Sequence, residues 1–214
     1  NGILTLGGAD APTIGLDGAS IAAPINADVL LYTSPAMGAL SFSAAIVDDS
    51  MGQYGMQSSA LGYSATLLGA AYAAGPVSAA ADYTKFNANA QLSATPSLLD
   101  GRFRVSASYD LGVAKLGAGY ESMSMVATTA GVAGVTNRQT ILGVSAPVGG
   151  AISVGANWTR QTQDGVFATV TGTDLAAQYN LSKRTSIQLA YQRVAVENVA
   201  NDTTNFRARL MHTF

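Results

Sequence analysis

The chain has no cysteine and a single histidine among its 214 residues, and only 11% of it is charged. Without cysteine there is neither a disulfide framework nor a thiolate metal site. One histidine, His212, is too few for a His-based catalytic triad with a second histidine role or for a multi-histidine metal centre. Charged residues make up about a quarter of an ordinary soluble domain, so this is not the composition of a typical cytosolic enzyme. A formal charge of −2 excludes binding nucleic acid by phosphate neutralisation. Long hydrophobic runs are missing as well. A membrane-spanning helix needs roughly 18 or more apolar residues in succession, and the best candidate, around 67–77, is interrupted by Gly75-Pro76. What remains for one domain of this length is an all-β protein, either soluble or built as a membrane barrel. No secretory leader is legible at Asn1, so an exported chain of this kind is expected to be processed at its start or represented here without it.

What the chain does have is a period of two. Apolar residues keep to one parity, and Gly, Ala, Ser, Thr or charge to the other, as in a strand with one apolar face. Leu40, Phe42, Ala44 and Ile46 alternate with Ser41, Ser43 and Ala45; Phe103, Val105, Ala107 and Tyr109 alternate with Arg102, Arg104, Ser106, Ser108 and Asp110. A helix would mix these sets. Counted this way the sequence predicts about twelve strands, at 2–8, 28–34, 39–47, 60–73, 77–86, 102–110, 113–122, 138–147, 151–160, 173–180, 185–194 and 204–214. Short joints, such as Ala74-Gly75-Pro76 and Leu111-Gly112, take turns with long polar ones at about 9–27, 48–59, 87–101, 123–137, 162–172 and 197–203. A soluble sandwich has no reason to sort its connections by length onto two ends; an up-and-down outer-membrane barrel does.

Charge decides which face meets lipid. A cation on the lipid face at mid-bilayer costs roughly 2–4 kcal/mol, so charge should collect on the other parity. Asp82, Arg102, Arg104, Asp110, Lys115, Glu121, Asp174, Arg207 and Arg209 all fall there, opposite the apolar set. Tyr72, Tyr83, Tyr109, Tyr120, Trp158, Tyr179 and Tyr191 fall on the apolar parity near the ends of the predicted strands, where girdle residues belong. The expected fold is all-β: a transmembrane antiparallel up-and-down β-barrel, one domain over 1–214, with a polar interior of mixed charge.

The last strand, Asn205-Phe206-Arg207-Ala208-Arg209-Leu210-Met211-His212-Thr213-Phe214, resembles the closing strand and assembly signal of Gram-negative outer-membrane barrels. Together with Tyr-Asn-Leu-Ser-Lys-Arg-Thr at 179–185, Tyr32-Thr33-Ser34-Pro35 and Ala-Ala-Gly-Pro-Val at 73–77, it resembles the trimeric general porins of the Neisseria and Burkholderia type over nearly the whole chain. That resemblance implies a porin of about sixteen strands in which 2–8 matches the fifth strand and 9–27 the third loop, roughly the first four strands being absent or unrepresented. It implies a homotrimer in the outer membrane, crossing it many times, inserted by the barrel assembly machinery and passing small hydrophilic solutes and ions passively. It further implies a constriction made by loop acids Asp10 and Asp17 against wall cations Arg102, Arg104, Lys115, Arg207 and Arg209, and an assembly signal that includes Phe206, Leu210, His212 and Phe214. No cofactor, metal, nucleic-acid partner or catalytic residue is expected.

Each of these residues also has a plainer reading. His212 beside Phe214 is an amphipathic anchor rather than a catalyst. Gly117 and Gly119 are strand glycines and not a dinucleotide loop, since no third glycine or helix follows. Inward arginines can simply keep a wall hydrated, but Arg102 with Arg104, and Arg207 with Arg209, stack as short positive ladders of the kind that bias ions in a wide pore. The rival architecture is a complete twelve-stranded barrel acting as a narrow specific channel or as another outer-membrane barrel protein.

Overall fold

The structure, a computed structural model, describes residues 28–48, 63–88, 97–127, 134–165, 168–200 and 202–213. They form eleven strands: β1 (Asp28–Thr33), β2 (Leu40–Asp48), β3 (Tyr63–Ala74), β4 (Val77–Ala88), β5 (Ser97–Asp110), β6 (Lys115–Ala127), β7 (Val135–Pro147), β8 (Ile152–Gln163), β9 (Val170–Asn180), β10 (Thr185–Val196) and β11 (Thr203–His212). All lie in one sheet in chain order, each pairing antiparallel with its sequence neighbours. Eleven of the twelve expected strands are therefore present, and the segment 2–8 lies outside the described residues. Among the described residues no helix is long and apolar enough to cross a membrane.

Short turns gather at one end of the sheet. Four of them carry a glycine with positive φ, Gly38, Gly75, Gly112 and Gly149, at 54–79°. That region of backbone space costs an L side chain and costs glycine little, so each strand reverses within a few residues. The four glycines follow one another at equal intervals along the chain. At the other end the strands run further than the alternation suggested: β5 starts at Ser97, β6 continues to Ala127 and β7 begins at Val135. The long joints read at 87–101 and 123–137 are correspondingly shorter. Beyond the apolar band a strand no longer needs an oily face, so Thr136, Asn137 and Ser124 continue the ladder without the alternating pattern that marks a strand in sequence. One bulge, between Leu99 and Gly101, shifts the register of β5 against β6. A side chain at Gly101 would stand 2.9 Å from the Tyr83 hydroxyl, so the glycine lets that ring lie across the strand.

Register sorts the residues into rows. Val144, Ala156, Leu175, Tyr191 and Phe206 line up across β7–β11 on one face. Ser43, Gly69, Asp82, Arg104, Glu121, Gln139 and Gln161 line up across β2–β8 on the other. The polar face is the shielded one: Thr84, Arg102, Glu121, Thr159, Ser186, Gln188 and Gln192 are buried, whereas Leu68, Phe103, Leu142, Leu175, Leu189 and Phe206 are exposed. Concave and convex sides of a curled sheet differ in this way, and here the polar side is concave. Leaving a large apolar side chain in water forgoes about 1.5–3 kcal/mol, so a face carrying this many is built for a non-aqueous surrounding.

The aromatics form two bands on the convex face. Tyr72, Tyr109 and Tyr179 lie beside the turns, while Tyr83, Tyr120, Trp158 and Tyr191 lie in mid-strand rather than near strand ends, because the strands overshoot the band toward the loops. Four cations correct the expectation that charge avoids this face. Lys85, Arg160 and Arg193 follow Tyr83, Trp158 and Tyr191 two residues toward the loops, and Arg138 stands in the same relation to Thr140, the register partner of Tyr120. They lie loopward of the aromatic band, where the cost of a cation falls to about 0–1 kcal/mol. Three hold acids: Lys85 pairs with Asp100, Arg138 with Asp164 and Arg193 with Asp202.

The loop end is tied together by Glu197. Its Oε2 accepts the Thr169 backbone N–H at 3.1 Å, and its own N–H donates to the Thr169 carbonyl at 2.9 Å. The hydrogen bonds from Thr169 hold the Glu197 carboxyl below its ordinary value of 4.5. A carboxyl lowered on folding contributes order that is complete above the ordinary value and lost as pH falls through the lower folded one. Hydrogen exchange should therefore show the Thr169 amide protected at neutral pH, exposed in strong acid, and exposed at all pH in Glu197→Ala; unchanged protection in that variant would discount the tie.

The two faces make a sharper test. Leu175→Arg, on the convex face in the middle of the apolar band, should cost roughly 2–4 kcal/mol and reduce the heat-modifiable folded form seen in SDS gels. Ser108→Arg, on the concave face between Ser78 and Gly117, should leave that form nearly intact. Equal losses would mean the faces are reversed.

Candidate functional site

The candidate site is the concave wall. Its densest charge lies where β4, β5 and β6 meet: Asp82, Arg104 and Glu121 are successive partners in one row. Arg104 Nε donates to both Asp82 oxygens at 3.0 Å. Arg102, one inward position along β5, is 4% exposed, and Glu121 is 5% exposed. Two cations and two carboxylates thus share one patch, and for a charge pair in contact, such as Arg104 with Asp82, the attraction at about 4 Å and an effective dielectric of 20 is about 4 kcal/mol before desolvation. The patch compensates its own charge. In the same row Gly69 makes room for Ser43: a Cβ there would stand 2.6 Å from the Ser43 hydroxyl.

Lys115 is not part of this patch. It lies at the turn end opposite Asp110, whose Oδ1 also accepts the Gly112 N–H at 2.8 Å. Arg207 and Arg209 sit on β11, facing Ala190 and Gln188 in register, with no acid directly opposite. Their side of the wall is lined with amides. Gln188 Nε2 donates to Gln178 Oε1 at 2.8 Å, Gln178 Nε2 to Asn180 Oδ1 at 2.8 Å, and Asn205 Nδ2 to Gln192 Oε1 at 3.4 Å. All five expected wall cations lie on the concave face, but the sequence does not reveal that they separate into a compensated patch, a turn-end pair and an arginine ladder among amides. The missed members, Asp82 and Glu121 as partners of Arg104 and the Gln178–Gln188 relay, are visible as inward polar residues; their partnership requires the register.

Of the assembly residues, Phe206, Leu210 and His212 lie on the convex face of β11, and His212 Nδ1 is 2.9 Å from Thr185 Oγ1. Asp10 and Asp17, with the whole 9–27 segment, and Phe214 lie outside the described residues. Gly117 and Gly119 sit in β6 with no helix after them, as strand glycines. Among the described residues, no group of His, Cys, Asp or Glu could hold a metal ion.

An antiparallel meander with a polar, charged concave wall and an apolar convex wall is the arrangement of a membrane β-barrel with a polar lumen. The sequence fits the Gram-negative porin family over residues 2–199. The chain belongs to that family. The porin fold is shared with solved structures: the anion-selective porin from Comamonas acidovorans, with a TM-score of 0.69 and 22% identity over 87% of this chain and 59% of that one; a porin refined at 1.8 Å, with a TM-score of 0.64 and 20% identity over 87% and 62%; and OmpT of Vibrio cholerae folded in vitro, in trimer form, with a TM-score of 0.63 and 13% identity over 86% and 64%. None of the curated proteins matches the chain. This porin chain therefore spans about three fifths of the length of the structures it resembles. Its sheet is a wall of a β-barrel in the bacterial outer membrane, with the convex face toward lipid and the concave face toward the lumen.

The Asp82–Arg104 contact can be measured directly. A double-mutant cycle with Asp82→Ala and Arg104→Ala, read from urea unfolding in detergent, should give a coupling of roughly 0.5–3 kcal/mol. A coupling indistinguishable from zero would show that the two side chains do not hold each other.

Proposed function

We propose that the protein is a water-filled outer-membrane channel through which small hydrophilic solutes and ions diffuse passively, working as a homotrimer and inserted by the barrel assembly machinery. The observation that carries this reading is the inverted sheet, with charge and amides on the shielded face and hydrocarbon on the exposed one. Nothing in this mechanism is consumed or has to move. Solute size is limited by the 9–27 segment folding inward, as the porin resemblance implies, and charge preference by fixed side chains that attract ions without binding them tightly. No catalysis is proposed; the single histidine, His212, is engaged by Thr185 on the lipid side.

The described concave wall carries five cations, Arg102, Arg104, Lys115, Arg207 and Arg209, against four acids, Asp82, Asp110, Glu121 and Asp174. In the β4–β6 patch and at the turn end, cations and acids lie in neighbouring positions, so the local field is small. Arg207 and Arg209 stand two residues apart on one face of β11, and we assign this ladder a part in ion preference, with Asp10 and Asp17 opposing it from the loop.

Bilayer recordings on the full-length protein test this. Arg207→Ser with Arg209→Ser should move the reversal potential in a salt gradient toward cations. The shift should grow as salt is lowered, since the Debye length is about 10 Å at 0.1 M and about 30 Å at 0.01 M. Asp10→Asn with Asp17→Asn should move it toward anions. Unchanged potentials in both variants would remove the lining charges from the selectivity mechanism, and absence of any conductance in the wild type would end the channel reading.

A further inference from the structure

Across β7–β11 the convex face is not smooth. A groove of about 480 Å³ runs over it, floored by Ala156 and Ala177 and walled by Val144, Leu175, Leu189 and Phe206. Its volume is that of small-molecule sites, roughly 300–1,000 Å³, but its lining is almost wholly carbon. An occupant must therefore be apolar, and the groove lies at the depth of the hydrocarbon. It sits on the loop side of the turn-end row of Ile152, Tyr179 and Ile187 and below Trp158.

On β8 the convex positions run Val154, Ala156, Trp158, Arg160 toward the loops. Arg160 therefore stands four residues, about 13 Å of strand, above the groove floor. It is exposed, and Glu197 attracts it across the loop end. Two strands away, Arg193 follows the groove residue Tyr191 and shares a row with Trp158 through Thr173. Its guanidinium holds Asp202 but remains 60% exposed. Two guanidiniums, each able to donate in parallel to phosphate oxygens, thus overhang an apolar channel, with an amphipathic indole between charge and oil.

We propose that this arc of the barrel holds one phosphorylated lipid of the leaflet at the loop end, an acyl chain lying in the groove over Ala156 and Ala177 and a phosphate meeting Arg160 and Arg193. The inference rests on the outer-membrane placement of the convex face and not on conduction. Charge complementarity selects the occupant: a neutral lipid would offer the two guanidiniums no phosphate oxygens, and a second copy of this chain would bring its own apolar face but no phosphate. The other belt cations carry no such site. Lys85 is on β4, away from the strands that line the groove, and Arg138 pairs in register with Thr162, two residues further toward the loops than Arg160.

The test uses the full-length protein purified in mild detergent, loaded with diphosphoryl lipid A, and followed by native mass spectrometry during detergent exchange. The wild type should retain one lipid per chain. Arg160→Gln with Arg193→Gln should shorten retention at least tenfold, and Ala156→Leu with Ala177→Leu, which fill the groove, should do the same. Lys85→Gln should leave retention unchanged. Heat-modifiability in SDS gels confirms folding of each variant, and single-channel conductance, set by the other face, should be the same in all of them. Equal retention of dephosphorylated lipid A, equal loss in Lys85→Gln, or cross-linking between copies through Ala156→Cys would each overturn the proposal while leaving the channel reading standing.

Discussion

Inside a bilayer there is no water to satisfy a backbone N–H or C=O, and each one left unpaired costs several kcal/mol. The rest of this protein follows from that. Each of the inner described strands is hydrogen-bonded on both sides to its neighbours in sequence, which satisfies the backbone with short reversals and without crossovers. Only the outer sides of β1 and β11 are left as edges, and edges at membrane depth have to be closed by pairing. A meander is the connection that lets a sheet curl and close while every reversal stays at a rim.

Once the backbone is satisfied by neighbours, the side chains are free to serve two solvents, and the period of two assigns one to each. The consequence for energetics is unusual for a protein: the most shielded residues include Arg102, Glu121 and Gln188, while the exposed ones include Phe206, Leu175 and Leu68. Stability comes from the ladder and from burial in lipid rather than from an internal apolar core, since Ala45, Ala65, Phe86 and Ile141 are the buried hydrophobic side chains among the described residues. The charges obey the same division with depth as a second variable. Arg104 is tolerated because it faces the lumen; Arg160 faces lipid and is tolerated because it lies above the hydrocarbon.

Legibility in the sequence tracked how local the governing physics is. Alternation is set by the backbone of each strand, so the eleven described strands and their faces could be read residue by residue. Strand ends beyond the bilayer could not, because Thr136 and Asn137 pair in β7 without needing an apolar side. The belt of Lys85, Arg138, Arg160 and Arg193 was missed for a related reason: parity alone says which way a side chain points and not how deep it lies. The Asp82–Arg104 pair depends on the register of β4 against β5, which no short pattern encodes. The loop acids Asp10 and Asp17 came from family likeness alone, and they lie outside the described residues.

The evenly spaced turn glycines carry a consequence for how such a wall can change over evolutionary time. Gly38, Gly75, Gly112 and Gly149 mark equal units, each holding one strand up, one loop and one strand down. Excising or duplicating the stretch between two successive glycines would rejoin the chain at a ready-made reversal, keep the inside-outside assignment of every remaining residue, and alter only the circumference. Pore width in this architecture is thus adjustable in discrete steps of one hairpin, whereas the lining at a given width is adjustable one side chain at a time.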